Sequence, residues 1–407
     1  MSFTRTFSTL NKKQRIAVKL NVKGERSVLS KHPWVFSDSI IKTNKEPQTG
    51  DLAIIFGKNK NKIIGFGFFD LASPIRIKMI HHGDAIAIDE TFFHHKISEA
   101  FAKRTSLLKT NTNSYRLIFG ENDGFPGLIA DVYASVLVVK LYSEIWINDL
   151  QAILESLISV SNCETVVIRL SRGLQQSQAH DLKDGEVVYG VLENEVVEFV
   201  EHGVHFSANV IHGHKTGYFL DHRLNRKQVG AWSKGKSVLD VFSYAGGFSV
   251  HALANQAKEV TSLDISKQAL EMAVANGKLN KYTGKHKTIA GDAFAEMKQL
   301  IKDNITFDVV VIDPPSFAKQ QSEIDLAKKK YAQLARLGLK LTAKKGLLVL
   351  ASCSSRVLAQ TFFDINAQVL RESNRNYQII LKTEHDTDHP IGFAEGAYLK
   401  CAYYRLD

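Results

Sequence analysis

Residues 237–249, SVLDVFSYAGGFS, decide the fold of this 407-residue chain. An apolar strand pattern runs to Val241, the glycines Gly246 and Gly247 follow, and a helical pattern begins at Phe248. Glycines after the first strand of an α/β fold let the backbone approach a ligand closely. Their spacing is not the GxGxxG of dinucleotide-binding turns, so a pyrophosphate cradle is not expected.

Downstream of this turn, apolar strands alternate regularly with amphipathic helices. Repeated βα units predict a Rossmann-like α/β fold with a mostly parallel, doubly wound sheet. Strands are expected at 237–242, 259–263, 286–290, 307–312 and 346–351, and helices at 248–256, 267–279, 293–302, 324–344 and 357–372. A last strand, 398–406, is expected at the sheet edge.

Two further domains are predicted upstream, where the pattern differs. Residues 1–85 show short β segments at 16–20, 51–56, 63–69 and 75–80, with a hairpin tip at 58–61, and indicate a small β-barrel. Residues 86–200 show helices at 93–108 and 149–160 and strands at 116–119, 128–131, 136–141 and 165–170, which indicate an α+β domain. Residues 201–407 form the third domain in this division.

Composition limits the partners and the compartment. Lys and Arg outnumber Asp and Glu by 52 to 42, and a net charge of +10 favours polyanionic partners such as nucleic acid. Cys163, Cys353 and Cys401 are too few and too far apart for a disulfide framework or a zinc site, so no metal is expected. With no apolar run of membrane-spanning length, a cytoplasmic protein that makes no membrane contact is predicted.

Carboxylates at successive strand ends indicate the cofactor. Asp240 lies in the first strand, Asp264 ends the second and Asp292 follows the third. A carboxylate at the second strand end can accept hydrogen bonds from both ribose hydroxyls of a nucleoside cofactor, and Asp292 could reach an adenine amino group. This ordered set matches S-adenosylmethionine better than NAD. The alternative is that Asp264 and Asp292 each cap the helix that follows.

The fourth and fifth strands end in the motifs Asp313-Pro314-Pro315-Ser316-Phe317 and Ser352-Cys353-Ser354. Because ligands of open α/β sheets bind outside the carboxyl ends of the strands, a carboxylate and a thiol are expected to meet there. Carbon 5 of cytosine is a poor nucleophile, and addition of a thiolate to carbon 6 makes it enamine-like. These motifs predict a cytosine methyltransferase acting on RNA.

Each residue of the two motifs has an expected role. Cys353 is the predicted nucleophile, with Arg356 and the following helix as candidates for lowering its pKa. Asp313 is expected to hold the N3 and amino edge of the base, and Pro314 and Pro315 to fix an extended turn toward it. Ser316 stands where methyltransferases of exocyclic amines usually carry an aromatic ring. The alternative for Cys353 is a small buried strand residue.

With these residues in hand, the chain resembles the bacterial 23S ribosomal RNA cytosine-C5 methyltransferase family over nearly its full length. That resemblance implies an N-terminal PUA domain, a middle α+β domain and a class I methyltransferase domain. The tail departs at 391–394, IGFA, where relatives tend to be proline-rich. The motifs that carry the resemblance are KHPWVF (31–36), DGFPGL (123–128), KTGYFLDHR (215–223), DVFSYAGGFS (240–249), DPPSFA (313–318), SCS (352–354), DHP (388–390) and EGAYLK (395–400).

The resemblance also implies the site residues. Cys353 would be the nucleophile, Asp313 would hold the cytosine, and residues 215–223 would form a hairpin that enters the catalytic domain. Lys31 and Trp34 would contact RNA. The alternative for Trp34 is that its side chain belongs to the hydrophobic core. The residues expected around S-adenosylmethionine are Phe219, Asp221, Arg223, Asp240, Tyr244, Gly246, Asp264, Asp292 and Asp313. For Asp221 and Arg223 the alternative is a structural ion pair.

Other activities and partners stay open at this point. Similar enzymes with the DPP motif make 7-methylguanosine, which needs no nucleophile, and 5-methyluridine formation also uses a thiol. A non-catalytic RNA-binding ribosome assembly factor and a small-molecule methyltransferase are further alternatives. The expected partner is 23S rRNA or a large-subunit assembly intermediate, because flipping a base out of paired RNA costs a few kcal/mol. The modified nucleotide, the base that takes the carbon 5 proton, the role of the DHP tail and a homodimeric state are undecided.

Overall fold

The chain forms two compact units in a computed structural model that describes residues 2–7, 13–58 and 62–407. The first unit comprises Met1–Phe199, Ser207–Leu220 and Thr387–Ala394, and the second comprises Val200–Phe206, Asp221–Asp386 and Glu395–Asp407. The division at residues 85 and 200 stays a prediction. Within the described ranges, no helix has the length and apolar character needed to cross a membrane.

A six-stranded sheet begins the first unit. Its order is β2-β6-β5-β4-β1-β3, in which β1 and β4 are parallel. The strands are β1 (Arg15–Leu20), β2 (Trp34–Val35), β3 (Ile40–Thr43), β4 (Leu52–Phe56), β5 (Ile63–Phe69) and β6 (Ile77–His82). The predicted hairpin strands pair as β4 and β5, while residues 59–61 of its tip lie outside the described residues.

One helix of this region is absent from the sequence-based prediction. It is α1 (Val22–Leu29), and the side chain of Asn21 caps it by accepting a hydrogen bond from Gly24 N. Its sequence, VKGERSVL, carries a glycine and four polar residues, and Gly24 and Val28 are its buried positions. One turn-spaced pair of buried residues is too weak a periodicity to predict a helix.

A five-stranded sheet with the order β11-β10-β9-β8-β7 continues the first unit. Its elements are α2 (Glu90–Ala102), α3 (Thr105–Leu108), β7 (Ser114–Phe119), β8 (Leu128–Tyr133), β9 (Val136–Leu141), α4 (Leu150–Ser161), β10 (Thr165–Leu170), α5 (Arg172–Gln175) and β11 (Glu186–Tyr189). Buried rings of Phe93, Phe125 and Trp146 pack in its core. The predicted combination of helices and strands is confirmed here.

The hairpin predicted at 215–223 is wrong. The strands that pair in this region are β12 (Val196–Glu201) and β13 (Val204–Asn209), whereas residues 215–219 form turns and residues Leu220–His222 form a 3-10 helix. Apolar residues alternate in β12 and β13 as they do in half-buried strands. Residues 215–223 show no such alternation and therefore form no strand pair.

A seven-stranded sheet organises the second unit, with the order β16-β15-β14-β17-β18-β20-β19. Neighbours from β16 to β18 are parallel, so the doubly wound prediction is confirmed. Its elements are α6 (Arg223–Trp232), β14 (Ser237–Val241), α7 (Gly247–Ala254), β15 (Glu259–Asp264), α8 (Lys267–Lys278), β16 (Lys285–Ala290), α9 (Ala293–Lys302), β17 (Phe307–Ile312), α10 (Ile324–Leu341), β18 (Thr342–Ser352), α11 (Ala359–Glu372), β19 (Tyr377–Thr383) and β20 (Lys400–Leu406). The order reverses between β14 and β17, where a ligand crevice is expected.

The prediction that the last strand lies at the sheet edge is wrong. β20 pairs antiparallel with both β18 and β19, and β19, which the sequence pattern missed, is the edge strand. Residues 401–404 of β20 are all buried, as an interior strand requires. In β19, Ile379 remains 42% exposed, so its burial pattern is that of a strand with a partner on one side.

Candidate active site

The turn between β14 and α7 follows a strained backbone path beside the crevice. Phe242 and Tyr244 have φ angles of 64° and 47°, and Gly246 has a φ of 78°. A Cβ at Gly246 would lie 2.7 Å from the Cβ of Ala273 and 3.0 Å from its Cα. Only glycine combines this left-handed conformation with so close an approach to α8.

Asp240 lies beneath this turn and is 1% exposed. Its Oδ2 accepts hydrogen bonds from the backbone N of Ser249 at 3.0 Å and from its Oγ at 2.7 Å. Its Oδ1 is buried, and no residue that the structure describes donates a hydrogen bond to it. Burial raises the pKa of Asp240 to about 7, and the carboxylates of Asp313 and Asp264 act in the same direction. A buried unpaired carboxylate oxygen is costly, so this position suits a cationic or donor group.

Asp264 supports the turn rather than the helix after it. Its Oδ2 accepts from Tyr244 N and its Oδ1 from Ser266 N, each at 2.9 Å. The side chain that caps α8 belongs to Ser266, so the capping alternative is wrong for Asp264. Asp292 does cap its helix, since its Oδ1 accepts from Ala295 N at 2.9 Å.

Asp313 stands at the end of β17, next to a histidine that the sequence reasoning missed. The backbone N of Asp313 donates to Val241 O at 3.3 Å, and its carboxylate is 23% exposed. His222 Nε2 lies 3.3 Å from Asp313 Oδ1. Burial alone would lower the pKa of His222, but the carboxylates of Asp313 and Asp221 outweigh it and raise that pKa. The sequence offered one indication of this role, because His222 is a titratable residue inside the 215–223 motif.

The thiol and the DPP loop meet as predicted. Cys353 Sγ lies 3.8 Å from the carbonyl oxygen of Pro314. Cys353 is half-buried, whereas Cys163 and Cys401 are buried. Pro315 is exposed, and Ser316 Oγ donates to Ala318 O at 3.2 Å, which shapes the loop. The crevice end of the sheet therefore presents a half-buried thiol against the loop that follows Asp313.

Lys400, a second residue that the sequence reasoning missed, holds the loop after Cys353. It is 2% exposed and its Nζ donates to the carbonyl oxygens of Ser354, Val357 (2.6 Å) and Tyr398 (3.1 Å). Burial lowers the pKa of Lys400 to about 8, although Cys353 opposes that shift. Arg356, the cation expected near the thiol, is exposed, so the buried cation of this loop is Lys400.

Asp221 and Arg223 have separate partners in the second unit. Asp221 Oδ2 accepts from Tyr398 OH at 2.8 Å. Arg223 forms an ion pair with Asp386, with 3.1 Å between its Nη1 and Asp386 Oδ2. Phe219 belongs to the first unit, where its ring centroid lies 5.0 Å from Lys215 Nζ.

The predicted RNA-contacting residues lie in the first unit beside a cavity of about 320 Å³. Lys31, Lys96, Lys103 and the imidazoles of His81 and His82 contribute to its lining. Burial lowers the pKa of both histidines, to about 4 for His82, so these two rings are neutral near pH 7. The lining carries three lysines and three carboxylates, those of Glu99, Glu121 and Asp123, so its charge is mixed.

Trp34 and the tail segment 387–394 meet next to this cavity. The Trp34 ring packs edge-on against Phe393 with 5.1 Å between centroids and against His32 at 5.6 Å. Its Nε1 donates to Glu121 Oε1 at 3.3 Å, so Trp34 is half-buried and is not a simple core residue. The tail is anchored by the buried Asp388, whose Oδ2 accepts from Arg116 N at 2.9 Å. Phe393, within the segment that departs from relatives, thus completes an aromatic cluster with His32 and Trp34.

Comparisons with known proteins agree with this fold. Residues 115–380 match the model of the S-adenosylmethionine-dependent methyltransferase family, and residues 18–82 match the PUA-like domain. The ribosomal RNA large subunit methyltransferase of Deinococcus radiodurans is 38% identical over 400 residues, covering 97% of this chain and 98% of that protein. Ribosomal RNA large subunit methyltransferase I of Escherichia coli is 32% identical over 380 residues, covering 92% and 96%.

Solved structures support the fold alone. A protein from Streptococcus mutans named as a SAM-dependent methyltransferase superposes with a TM-score of 0.79 at 20% identity, covering 96% of this chain and 99% of that one. A methyltransferase complexed with S-adenosylhomocysteine (SAH) gives a TM-score of 0.80 at 20% identity, covering 96% and 100%.

The sheet order and the turn beside Asp240 define a class I methyltransferase whose cofactor is S-adenosylmethionine. The chain belongs to the S-adenosylmethionine-dependent methyltransferase family, among the ribosomal RNA large subunit methyltransferases. The fold class, the PUA-like domain and the cofactor expected from the sequence are thereby confirmed.

Proposed function

We propose that this protein methylates carbon 5 of a cytosine in large-subunit (23S) ribosomal RNA through a covalent cysteine adduct. One observation carries the proposal: the half-buried thiol of Cys353 lies 3.8 Å from Pro314 O, in the loop that follows Asp313. A methyltransferase that only places a lone pair beside a methyl donor has no use for a thiol there. The names of the relatives support ribosomal RNA of the large subunit as the substrate.

The residues of the crevice fit S-adenosylmethionine. The unpartnered, buried Oδ1 of Asp240 suits a cationic group, and the close turn at Gly246 leaves backbone within reach of a ligand. Asp264 and Asp292 at the next two strand ends would hold the nucleoside, with Tyr244 placed by Asp264. We also assign Phe219, Asp221, Arg223 and Asp313 to the cofactor site, as the family resemblance implies. When bound, the cofactor supplies an electrophilic methyl group.

Cys353 would act as the nucleophile toward carbon 6. Its thiol must lose a proton first, because the thiolate is the reactive form. Lys400 keeps a buried positive charge close to this thiol and fixes the loop carbonyls of Ser354 and Val357. A fixed cation favours the thiolate over the thiol. Lys400 is therefore a positioning residue for Cys353.

Asp313 would recognise the base while the DPP loop orients it. The carboxylate can face the N3 and amino edge of a cytosine, and the rigid backbone of Pro314 and Pro315 presents a flat surface and carbonyl groups to it. Ser316 is tied back to Ala318 O and leaves the space that a stacking aromatic ring would fill in an amine methyltransferase.

The first unit would bind the RNA strand. Lys31 lines the cavity of the first unit, and Trp34 stands in an aromatic cluster next to it. Such a combination of lysines and rings suits single-stranded RNA, in which bases stack on aromatic side chains and phosphates meet cations. Because flipping a paired base costs a few kcal/mol, free rRNA or an assembly intermediate should be a better substrate than the finished subunit.

The test is incubation of purified wild-type and Cys353→Ala protein with isotopically labelled S-adenosylmethionine and unmodified 23S rRNA, followed by nucleoside analysis. Labelled 5-methylcytidine from the wild type alone is expected. Cys163→Ala, which removes a buried cysteine of the first unit, is the matched control and should keep its activity. Label in 7-methylguanosine that survives Cys353→Ala, or label in 5-methyluridine, would overturn the chemistry. Unlabelled RNA with retained binding would favour a non-catalytic assembly factor.

A further inference from the structure

His222 has polar partners on both ring nitrogens. Nε2 lies 3.3 Å from Asp313 Oδ1, and Nδ1 lies 3.0 Å from Asn225 Nδ2. The ring packs edge-on against Phe248 with 5.5 Å between centroids. His222 is thus a buried imidazole whose Nε2 lies within ion-pair distance of the carboxylate that is proposed to bind the base.

Asn225 can form a hydrogen bond with this imidazole in both of its charge states. Its Oδ1 accepts from Thr383 Oγ1 at 2.5 Å and from Tyr403 OH at 2.7 Å. Both hydroxyls can also accept a hydrogen bond, so the amide can turn over without losing partners. With its NH₂ facing the ring, Nδ1 accepts and His222 is neutral. With its carbonyl facing the ring, both ring nitrogens carry protons.

The charges around His222 favour the protonated form. Burial and the cation of Arg226 on α6 lower its pKa, but the carboxylates of Asp313, at the end of β17, and of Asp221, in the same 3-10 helix as His222, outweigh them and raise it. α7 contributes the uncharged ring of Phe248. These surroundings therefore favour the protonated imidazole of His222 more than free solution does.

We propose that His222 is a positioning residue that stores the proton which Asp313 passes to N3 of the target cytosine. This inference rests on the proposed function. As the S–C6 bond forms, the C5=C6 pair becomes the C4=C5 bond and the C4=N3 pair moves to N3, which takes one proton through Asp313. That proton comes from His222 Nε2, so the transfer leaves His222 neutral and Asp313 ionised. Once the C4=C5 pair has bonded to the methyl carbon, C4=N3 re-forms and N3 returns its proton to the pair. Loss of a separate proton from carbon 5 to solvent then re-forms C5=C6 and releases the thiolate.

The same arrangement selects cytosine over uracil. N3 of cytosine is a hydrogen-bond acceptor and needs a donor. N3 of uracil already carries a proton and needs an ionised carboxylate that shares no proton with a neighbouring group. A pair that carries an extra proton therefore matches cytosine. His222 would determine specificity through the charge of Asp313 without touching the methyl donor.

The experiment measures single-turnover methylation of unmodified 23S rRNA from pH 5.5 to 9 with wild type, His222→Gln and Asn225→Asp. The wild-type rate should fall on the alkaline side as the pair loses its proton. Asn225→Asp, whose carboxylate accepts from Nδ1–H and from both hydroxyls, should move that fall to higher pH. His222→Gln keeps a donor toward Asp313 but stores no proton. Its methylation rate should be about 10²-fold lower and should no longer decrease at alkaline pH. The affinity for RNA should not change.

A second readout does not depend on turnover. NMR titration of the His222 ring should give a higher pKa in the wild type than in Asp313→Asn, and a higher one again in Asn225→Asp. An unchanged pH profile in His222→Gln, or a titration that Asp313→Asn does not move, would overturn the proton-storing role even if 5-methylcytidine is made. Loss of the 5-methylcytidine product in the wild type would instead overturn the proposed function.

Discussion

The Nζ of Lys400 lies 2.6 Å from the carbonyl oxygen of Val357, four positions after Cys353 in the loop between β18 and α11. This contact exists because β20 pairs antiparallel with β18, which sets Lys400 opposite Ser352. A strand that enters the sheet from the far end of the chain thus delivers a cation to the loop that follows the nucleophile's strand. The hydrogen bonds of Lys400 to three carbonyls fix that loop in one conformation.

Lys400→Met should raise the pH at which Cys353 becomes reactive. Methionine keeps the length and apolar stem of the side chain but removes the charge, so the thiolate loses a buried cation of its surroundings. We expect slower alkylation of Cys353 by iodoacetamide at pH 7 and a midpoint shifted to higher pH, measured by mass spectrometry of the labelled peptide. Lys340→Met, which removes an exposed lysine of α10, is the control and should leave the profile unchanged. A midpoint that does not move in Lys400→Met would show that the lysine has only a structural role.

Cofactor affinity should depend on the charge of Asp240. Since burial raises the pKa of Asp240 to about 7, the carboxylate is mostly protonated at pH 6 and ionised at pH 8. A cationic ligand group beside its unpartnered oxygen should bind more tightly at pH 8. Asp240→Asn should weaken S-adenosylmethionine binding about tenfold at pH 8, the size of one lost hydrogen bond to a charged group, and abolish the difference between the two pH values. Isothermal titration calorimetry measures both effects.

Raising the pH through the pKa of Asp240 should lower the stability of the cofactor-free protein, although it should strengthen cofactor binding. The folded pKa of Asp240 is raised, so its ionisation destabilises the cofactor-free fold as pH rises from about 4 through 7. Asp240→Asn should therefore narrow the gap in unfolding free energy between pH 6 and pH 8. Asp325→Asn, on the exposed start of α10, is the matched control for both measurements. Tighter cofactor binding at pH 6 than at pH 8 would contradict the proposed role of Asp240.

The buried cluster around Glu201 should dominate the stability of the second unit. Glu201 accepts from Arg226 Nε at 2.7 Å and from His251 Nε2 at 2.9 Å. Burial would raise the pKa of Glu201, but these partners outweigh it and lower that pKa below its usual value. Glu201→Gln leaves the buried Arg226 uncompensated and should destabilise the protein by about 3–5 kcal/mol. Urea unfolding at pH 7 tests this.

The pH dependence of the same cluster has a definite sign. Because the folded pKa of Glu201 is lowered, its contribution is fully present above the unfolded pKa near 4.5 and is lost as the pH falls below it. The difference in unfolding free energy between wild type and Glu201→Gln should therefore shrink between pH 5 and pH 3. A difference that stays constant over that range would show that the lost stability comes from packing.

Local sequence pattern predicted the elements that repeat and missed those that depend on distant partners. Apolar runs and helical periodicity show the alternation of strands and helices from β14 to β18. Five strands and their helices were therefore predicted nearly at their observed bounds. The place of β20 is not local, because it is decided by pairing with β18 and β19. Its apolar residues predict a strand and do not specify a neighbour.

The same distinction explains the candidate site. Cys353 and Asp313 follow directly after strands and Asp264 ends one, and such positions can be predicted from the sequence pattern. Lys400 reaches the thiol loop only through the antiparallel pairing of its strand. His222 reaches Asp313 from a 3-10 turn, and no spacing rule connects residues 91 positions apart.

RNA affinity should depend on the aromatic cluster and the lysines of the first unit in two separable ways. Loss of a stacking platform costs about 1–3 kcal/mol per base, so Phe393→Leu, which removes the ring against Trp34, should weaken binding of single-stranded rRNA fragments at all salt concentrations. Lys31→Ala should reduce the slope of log affinity against log salt by about one, because one phosphate contact is lost. Fluorescence anisotropy between 50 and 300 mM salt distinguishes the two effects. Lys344→Ala, an exposed lysine of the second unit, serves as the control for total charge. If Lys31→Ala and Lys344→Ala change the slope equally, the first-unit cavity is not the RNA site.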